Sequence, residues 1–266
     1  MKLIAIDMDG TLLNSKNKVS KIQLNYLEKI VNRTDIIIVV TTGRPIEGIS
    51  NFIPSYLLEK MYIIALNGTI ILNQQKQVIS EFPIINEDVL TLQKFALKHN
   101  IEMSILDRTK FYTLQEPISY IFRFDLHLNN MELSTLAVED ISKLKAIFKV
   151  QYIIEPIDVH NVYRTLPDFF YDKFCIINSA PYLIEFMAPC TNKGYAVKEL
   201  CNYLQINMND VYTIGDGKND LPMFNITDNS IAMDNATDAI KKHAKYITMN
   251  NNENGVKYAI QNYVLN

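Results

Sequence analysis

Two aspartates end an apolar strand near the start of the chain, where Leu3-Ile4-Ala5-Ile6 runs into Asp7-Met8-Asp9-Gly10-Thr11. Side chains two apart on an extended segment point to the same side. The pair therefore sets two negative charges together at the edge of an apolar core, where they repel unless something compensates them. A divalent cation held through oxygen does so most simply; an Asx-turn closing the strand is the plainer alternative. A second acidic cluster, Gly215-Asp216-Gly217-Lys218-Asn219-Asp220, follows the β-branched stretch Val211 to Ile214. Glycines on either side of Asp216 let the backbone approach a ligand closely. Asp7, Asp9 and Asp216 are thus predicted to converge on one cation from two neighbouring strands, although a solvated turn would also explain the second loop taken alone. Two further pieces suit a phosphate. Thr42 offers a hydroxyl and, with Gly43, main-chain amides at an expected helix N-terminus. Lys193, in Thr191-Asn192-Lys193-Gly194, offers a fixed positive charge at the head of another helix.

The elements that must position these residues alternate. Leu3 to Ile6 reads as a buried strand, Ser20 to Val31 as an amphipathic helix, Ile36 to Val40 as a second strand and Tyr62 to Leu66 as a third. Pro45 suits the first turn of a helix opened by Thr41-Thr42-Gly43-Arg44. Strands separated by helices in this way predict an α/β fold, a doubly wound parallel sheet of Rossmann-like type with ligands at the carboxyl ends of its strands. A hairpin is expected from Thr69 to Leu72 and Gln77 to Ser80. From about Pro83 to Phe186 the pattern becomes α+β. Helices are expected at Asn86 to Leu97 and Glu155 to Leu166, and paired strands at Phe174 to Ser179 and Tyr182 to Met187. Ser119 to Leu128, with Tyr120, Phe122, Phe124, Leu126 and Leu128 alternating with polar residues, reads as a strand covered on one side. The first style returns from Asn192, with helices at Lys193 to Leu204, Asn219 to Phe224 and Ala236 to His243, and strands at Val211 to Ile214 and Ser230 to Met233. The expected organisation is a discontinuous core of residues 1–82 and 187–266, interrupted by a domain of residues 83–186.

Composition narrows the function classes. Across 266 residues, 48% are hydrophobic and 21% charged, the balance of a folded globule. A net charge of −3 supplies no basic stripe for nucleic acid. Cys175, Cys190 and Cys201 form neither a disulfide framework nor a CxxC metal site and read as small buried hydrophobes. No apolar run approaches a membrane span or a signal sequence, so the expected location is cytoplasmic. No protein partner is indicated.

Taken together and in this order, Asp7-Met8-Asp9-Gly10-Thr11, Thr42-Gly43-Arg44, Lys193-Gly194 and Gly215-Asp216-Gly217-Lys218-Asn219-Asp220 resemble the four motifs of the haloacid dehalogenase superfamily. Asn67-Gly68, Glu185-Phe186-Met187 and Asn254-Gly255-Val256 further resemble its Cof-type phosphatases, in which a large α/β cap is inserted between the second and third motifs. The resemblance implies a Mg²⁺-dependent phosphatase acting on small phosphorylated metabolites, sugar phosphates or phosphorylated cofactors. It makes Asp7 the nucleophile that becomes an aspartyl phosphate and Asp9 the acid and base. It has Mg²⁺ held by the Asp7 carboxylate, the Asp9 main-chain carbonyl and Asp216. The main chain of Met8 and Gly43, with Thr42, Lys193 and Asn219, would hold the phosphoryl group, and Asp220 would orient Lys193 or support the metal indirectly. Asp9 separates phosphoryl transfer from dehalogenation, because a halide leaves without a proton. A sugar phosphomutase would use the same phosphoaspartate, and a phosphate sensor could keep the fold. In one departure, Ala232-Met233-Asp234-Asn235-Ala236 carries Asp234 where Cof-type members have glycine. In the insertion, Tyr112, Tyr120, Arg123, His127 and Tyr163 are candidates for substrate contact, whereas His99, His160 and His243 read as surface or core.

Overall fold

Leu3, Ile4, Ala5 and Ile6 are all fully buried, as required of a central parallel strand covered on both faces. The computed structural model describes residues 1–129 and 132–265. Its strands are β1 (Lys2–Asp7), β2 (Ile36–Thr41), β3 (Tyr62–Ala65), β4 (Ile70–Leu72), β5 (Val78–Glu81), β6 (Glu102–Leu106) and β7 (Lys110–Thr113). They continue as β8 (Glu132–Thr135), β9 (Lys149–Ile153), β10 (Cys175–Ala180), β11 (Leu183–Met187), β12 (Val211–Gly215), β13 (Asn229–Ala232) and β14 (Tyr246–Ile247). Two units separate, one of Met1–Gly43, Ile49–Glu81 and Asn192–Asn266, the other of Arg44–Gly48 and Phe82–Thr191.

The first unit holds an eight-stranded sheet in the order β14-β13-β12-β1-β2-β3-β4-β5. β1 pairs in parallel with both β12 and β2, with Ile6 opposite Ile214 and Asp7 opposite Thr41. The chain winds outward from β1 through β2 and β3 on one side and through β12, β13 and β14 on the other. Such a reversal opens a crevice at the carboxyl ends of the strands. The expected hairpin forms as antiparallel β4 and β5. Ser20 accepts a hydrogen bond from the Gln23 amide (3.1 Å) and starts the helix Lys21–Ile30, which buries Leu27 and Ile30.

The second unit holds a six-stranded sheet, β10-β11-β9-β6-β7-β8, antiparallel except where β7 meets β8. Alternation along β9 and β11 divides the two faces. Val150, Tyr152, Ile184 and Phe186 join the apolar core with Val89 and Leu92 of the helix Asn86–Lys98. Lys149, Gln151 and Glu185 face the other way in a buried polar layer, with Lys149 Nζ 2.7 Å and Gln151 Nε2 3.1 Å from Glu185 Oε1.

Several expectations need correction. Ser119 to Leu128 is no strand, because Tyr120–Asn129 is a helix. The Ser119 hydroxyl accepts from the Phe122 amide (3.1 Å), an N-cap signal that the aromatic alternation obscured. Phe122 and Asp125 are buried at helical spacing, and Phe122 packs edge-on against Phe111, while Tyr120 and Phe124 are exposed. The helix expected from Glu155 begins at Val159, after a turn in which the Asp158 amide donates to the Glu155 carbonyl (2.8 Å). The helices expected at Asn219 to Phe224 and Ala236 to His243 shorten to Leu221–Phe224 and Asp238–Lys241. Of the cysteines only Cys201 is buried; Cys175 is half-buried and Cys190 exposed. No helix among the described residues is long and apolar enough to cross a membrane.

The helix Lys193–Leu204 starts from Asn192, whose side chain accepts from the Tyr195 amide (2.8 Å). Its second residue, Gly194, lies so close to the Pro222 turn that an added Cβ would stand 2.2 Å from the Pro222 carbonyl oxygen. Gly194→Ala is expected to destabilise the protein by about 1–3 kcal/mol through overpacking against backbone. Thermal unfolding reads this as a lower Tm, and an unchanged Tm would mean that helix and turn can part without cost.

Candidate active site

Asp7 ends β1 and Asp216 immediately follows β12, so the parallel register of these neighbours brings both to the same end of the sheet. After Asp7 the chain makes one tight turn, Met8 to Leu12, closed by the Leu13 amide on the Met8 carbonyl (2.8 Å). Gly10 takes φ 79°, and a Cβ there would lie 2.3 Å from Asp216 Oδ2. Glycine is needed on both counts. Thr11 then points its hydroxyl at Asp216 Oδ1 (2.7 Å). The Met8 side chain is fully buried, which leaves the main chain as the part of Met8 able to meet a ligand.

Oxygen atoms of Asp7, Asp216 and Asp220 lie within 4.8 Å of one another. Asp220 has its carboxylate engaged on both sides. Its Oδ2 accepts from the amides of Asp216 and Gly217 (both 2.9 Å), and its Oδ1 from Lys193 Nζ (2.6 Å). Lys193 also donates to Asp7 Oδ1. The ammonium is fully buried, so one lysine joins the strand end, the acidic loop and the helix it begins. Asp9 is exposed, and its carboxylate is not one of the acidic group.

The electrostatics follow from burial. Burial opposes the charge on Lys193, but the Asp220 and Asp7 carboxylates outweigh it and hold the ammonium above its ordinary pKa. Asp7 is pushed well above the carboxylate range by burial and by Asp220, against the pull of Lys193. Asp216 rises to about 6, again chiefly through burial, with the Thr11 hydrogen bond acting the other way. Asp7 and Asp220 thus share one ammonium with Asp216 beside them, and the excess negative charge is held in a place that penalises it. The donors are oxygen throughout, without the sulfur or imidazole that would favour a softer metal. This set fits a hard divalent cation such as Mg²⁺.

Beside the acidic group, Thr42 follows β2 and is fully buried. Its amide donates to the Ile64 carbonyl (2.9 Å), so the sequence expectation that this amide would help hold an anion is corrected. Pairing with β3 has used it. The helix following Pro45 is also short, Ile46–Ser50, and makes little dipole. Gly43 packs against the Asn67 side chain, 3.1 Å from where a Cβ would stand. Asn219, half-buried, donates to Asn67 Oδ1 (3.2 Å).

Asn235 and Asn251 escaped the sequence reading. Asn235 Nδ2 donates to the Gly10 carbonyl (2.8 Å) and lies 3.3 Å from Asp216 Oδ2. Its own oxygen accepts from the Asn251 amide (2.9 Å), and Asn251 Nδ2 reaches the Leu13 carbonyl (2.9 Å). Asn235 follows Asp234 in the segment that departs from the family pattern, which was the available signal. Asp234 itself pairs with Lys241 (2.9 Å) at the surface. In the second unit, the Tyr112 hydroxyl donates to Asp107 Oδ2 (2.8 Å). Tyr120, Arg123 and His127 are exposed on their helix, and Tyr163 is half-buried.

Comparison with known proteins gives this arrangement a context. A family model of haloacid dehalogenase-like hydrolases matches residues 4–260. Phosphatase YwpJ of Bacillus subtilis is 29% identical over 98% of this chain and 99% of its own. The 5-amino-6-(5-phospho-D-ribitylamino)uracil phosphatase YwtE of the same organism is 28% identical over 98% and 97%. A crystal structure of a haloacid dehalogenase-like hydrolase from Bacteroides thetaiotaomicron superposes with a TM-score of 0.86, at 29% identity and 98% coverage of both chains. With the match running through almost its whole length, the chain belongs to the haloacid dehalogenase-like hydrolase family.

Proposed function

We propose that this protein is a Mg²⁺-dependent phosphatase that hydrolyses small phosphorylated metabolites, sugar phosphates or phosphorylated cofactors, through a phosphoaspartate on Asp7. The observation that carries the reading is the single buried Lys193 shared by Asp7 and Asp220, beside Asp216. The name of YwtE, a phosphatase of a phosphorylated ribityl compound, supports the substrate class.

Phosphate monoester hydrolysis is among the slowest uncatalysed reactions, requiring up to about 10²¹-fold acceleration. Asp7 attacks phosphorus and forms the new P–O bond, while Asp9 gives its proton to the departing oxygen. Asp9 then takes a proton from water, the water oxygen attacks phosphorus, and phosphate leaves with Asp7 restored. Lys193 favours the ionised form of Asp7 against burial and Asp220, and pairs with the charge of the transferring group. The Thr42 hydroxyl, the main chain of Met8 and Gly43, and the Asn219 amide hold the phosphoryl oxygens. Mg²⁺, bound by the Asp7 carboxylate, the Asp9 main-chain carbonyl and Asp216, would act as a Lewis acid on the phosphoryl oxygens. Asp220 stays in place as the anchor of Lys193 and of the Asp216 loop. The inserted domain of residues 83–186 acts as the cap that sets substrate specificity, and the protein works in the cytoplasm.

The test is phosphate release from a panel of phosphorylated metabolites with Mg²⁺, beside Asp7→Asn and Asp9→Asn. Release is expected from some members with the wild type and from none with Asp7→Asn. Activity that survives in Asp7→Asn sinks the nucleophile assignment, and no release from any member leaves the phosphatase reading unsupported. Mg²⁺ should also raise the Tm of the wild type but not of Asp216→Ala, because binding to the folded state stabilises it. An equal rise in both would move the cation elsewhere. Lys193→Met leaves Asp7 and Asp220 without their buried cation and should cost about 3–5 kcal/mol, read by denaturant unfolding. A loss under about 1 kcal/mol would show that the carboxylates relax without it.

A further inference from the structure

Asn67 lies behind the Thr42-Gly43 turn and has no part in the chemistry above. It follows β3 and is 3% exposed. Leu66, Asn67 and Gly68 take φ of 50°, 56° and 104°, three successive residues in the left-handed region. Glycine enters that region freely, asparagine with some strain and leucine with more. A second cost sits on the side chain. Among the described residues, Asn67 Nδ2 is buried without a hydrogen-bond partner, which is unfavourable for an amide that water would otherwise satisfy. A glycine in place of Asn67 would carry neither burden.

What the side chain provides is Oδ1, which accepts from Asn219 Nδ2 (3.2 Å). Asn219 is otherwise loosely framed, on a short turn where its own Oδ1 lies 2.5 Å from the place of a Gly217 Cβ. The Asn67 backbone is held firmly. Its amide donates to the Thr42 carbonyl while the Thr42 amide donates to Ile64, both at 2.9 Å. Next to it, Gly68 abuts the Asn192 carbonyl, 2.4 Å from where a Cβ would stand. One strained turn thus touches the Thr42-Gly43 segment, Asn219 and the start of the Lys193 helix. Strain and an unpaired buried donor on such a turn point to function rather than stability.

We infer that Asn67 is a positioning residue, which acts through Oδ1 to orient the Asn219 amide toward a bound phosphoryl group. This rests on the phosphate-pocket reading of Asn219 given above. The experiment is a double-mutant cycle on the full chain, with inorganic phosphate binding measured by calorimetry in the presence of Mg²⁺ and Tm recorded for every variant. Asn219→Ala and Asn67→Gly should each weaken phosphate binding about tenfold, the scale of one hydrogen bond to a charged group. Combined, they should weaken it no further, and Asn67→Gly should keep its Tm within a few degrees of the wild type. Asn67→Asp retains an acceptor, so in that background Asn219→Ala should still cost about tenfold. This second cycle serves also if Asn67→Gly does not fold.

Multiplicative losses in the first cycle, or loss of the Asn219 effect in the Asn67→Asp background, overturn the inference. So does an Asn67→Gly protein of lower Tm with phosphate affinity within about twofold of the wild type, since a hydrogen bond to a charged group is worth more than that. Wild-type protein that binds no phosphate, or binds it without regard to Asn219, overturns the pocket reading and this inference together. Binding that depends on Asn219 and ignores Asn67 overturns this inference alone.

Discussion

The buried ammonium of Lys193 organises the first unit of this protein. Lys193 lies between Asp7 and Asp220 with no exposure to water, and a charge so placed persists only if it is paired and hydrogen-bonded. Each requirement reaches into a different part of the chain. Asn192 caps the helix that carries Lys193, Gly194 lets that helix press on the Pro222 turn, and Asp220 turns its second oxygen to the amides of Asp216 and Gly217. The positions of β1, β12 and the helix Lys193–Leu204 are therefore coupled through one side chain.

The same arrangement sets the local charge. Lys193 offsets part of the negative charge that Asp7, Asp216 and Asp220 bring together, and burial pushes both Asp7 and Asp216 upward in pKa. In the proposed mechanism, Asp7 and Asp216 would hold the cation, whose charge would favour the ionised form of Asp7. Asp9, proposed to move the protons, is exposed on the turn and lies outside the buried acidic group. Asn235 and Thr11 reach Asp216 from the neighbouring segments, so the carboxylate proposed to hold the metal is oriented by the protein's own side chains.

Much of this was legible in the sequence because it depends on local pattern. Two aspartates two apart at the end of an apolar strand, and an aspartate between glycines after another, are statements about neighbours, and the parallel sheet brings such strand ends together. Less legible were partners that only the folded chain supplies. The hydrogen bonds of Asn67 to Asn219 and of Asn235 to Gly10 span long stretches of sequence, and an asparagine in a turn announces nothing of its partner. The Thr42 amide looked available until β3 took it. At Tyr120 to Asn129 the aromatic alternation suggested a strand, yet the same letters place Phe122 and Asp125 on one side of a helix. Period alone does not decide so short a stretch.

The central claim is that Asp7, ionised beside Lys193, attacks phosphorus itself. The most direct measurement is mass spectrometry of peptides from enzyme quenched in acid during turnover of a good substrate. The account predicts one HPO₃ added to the peptide that carries Asp7, located on Asp7 by fragmentation and absent from Asp7→Asn. Phosphate found on another residue, or turnover with no phosphopeptide and with inversion of configuration at phosphorus, where two successive displacements give retention, would contradict it.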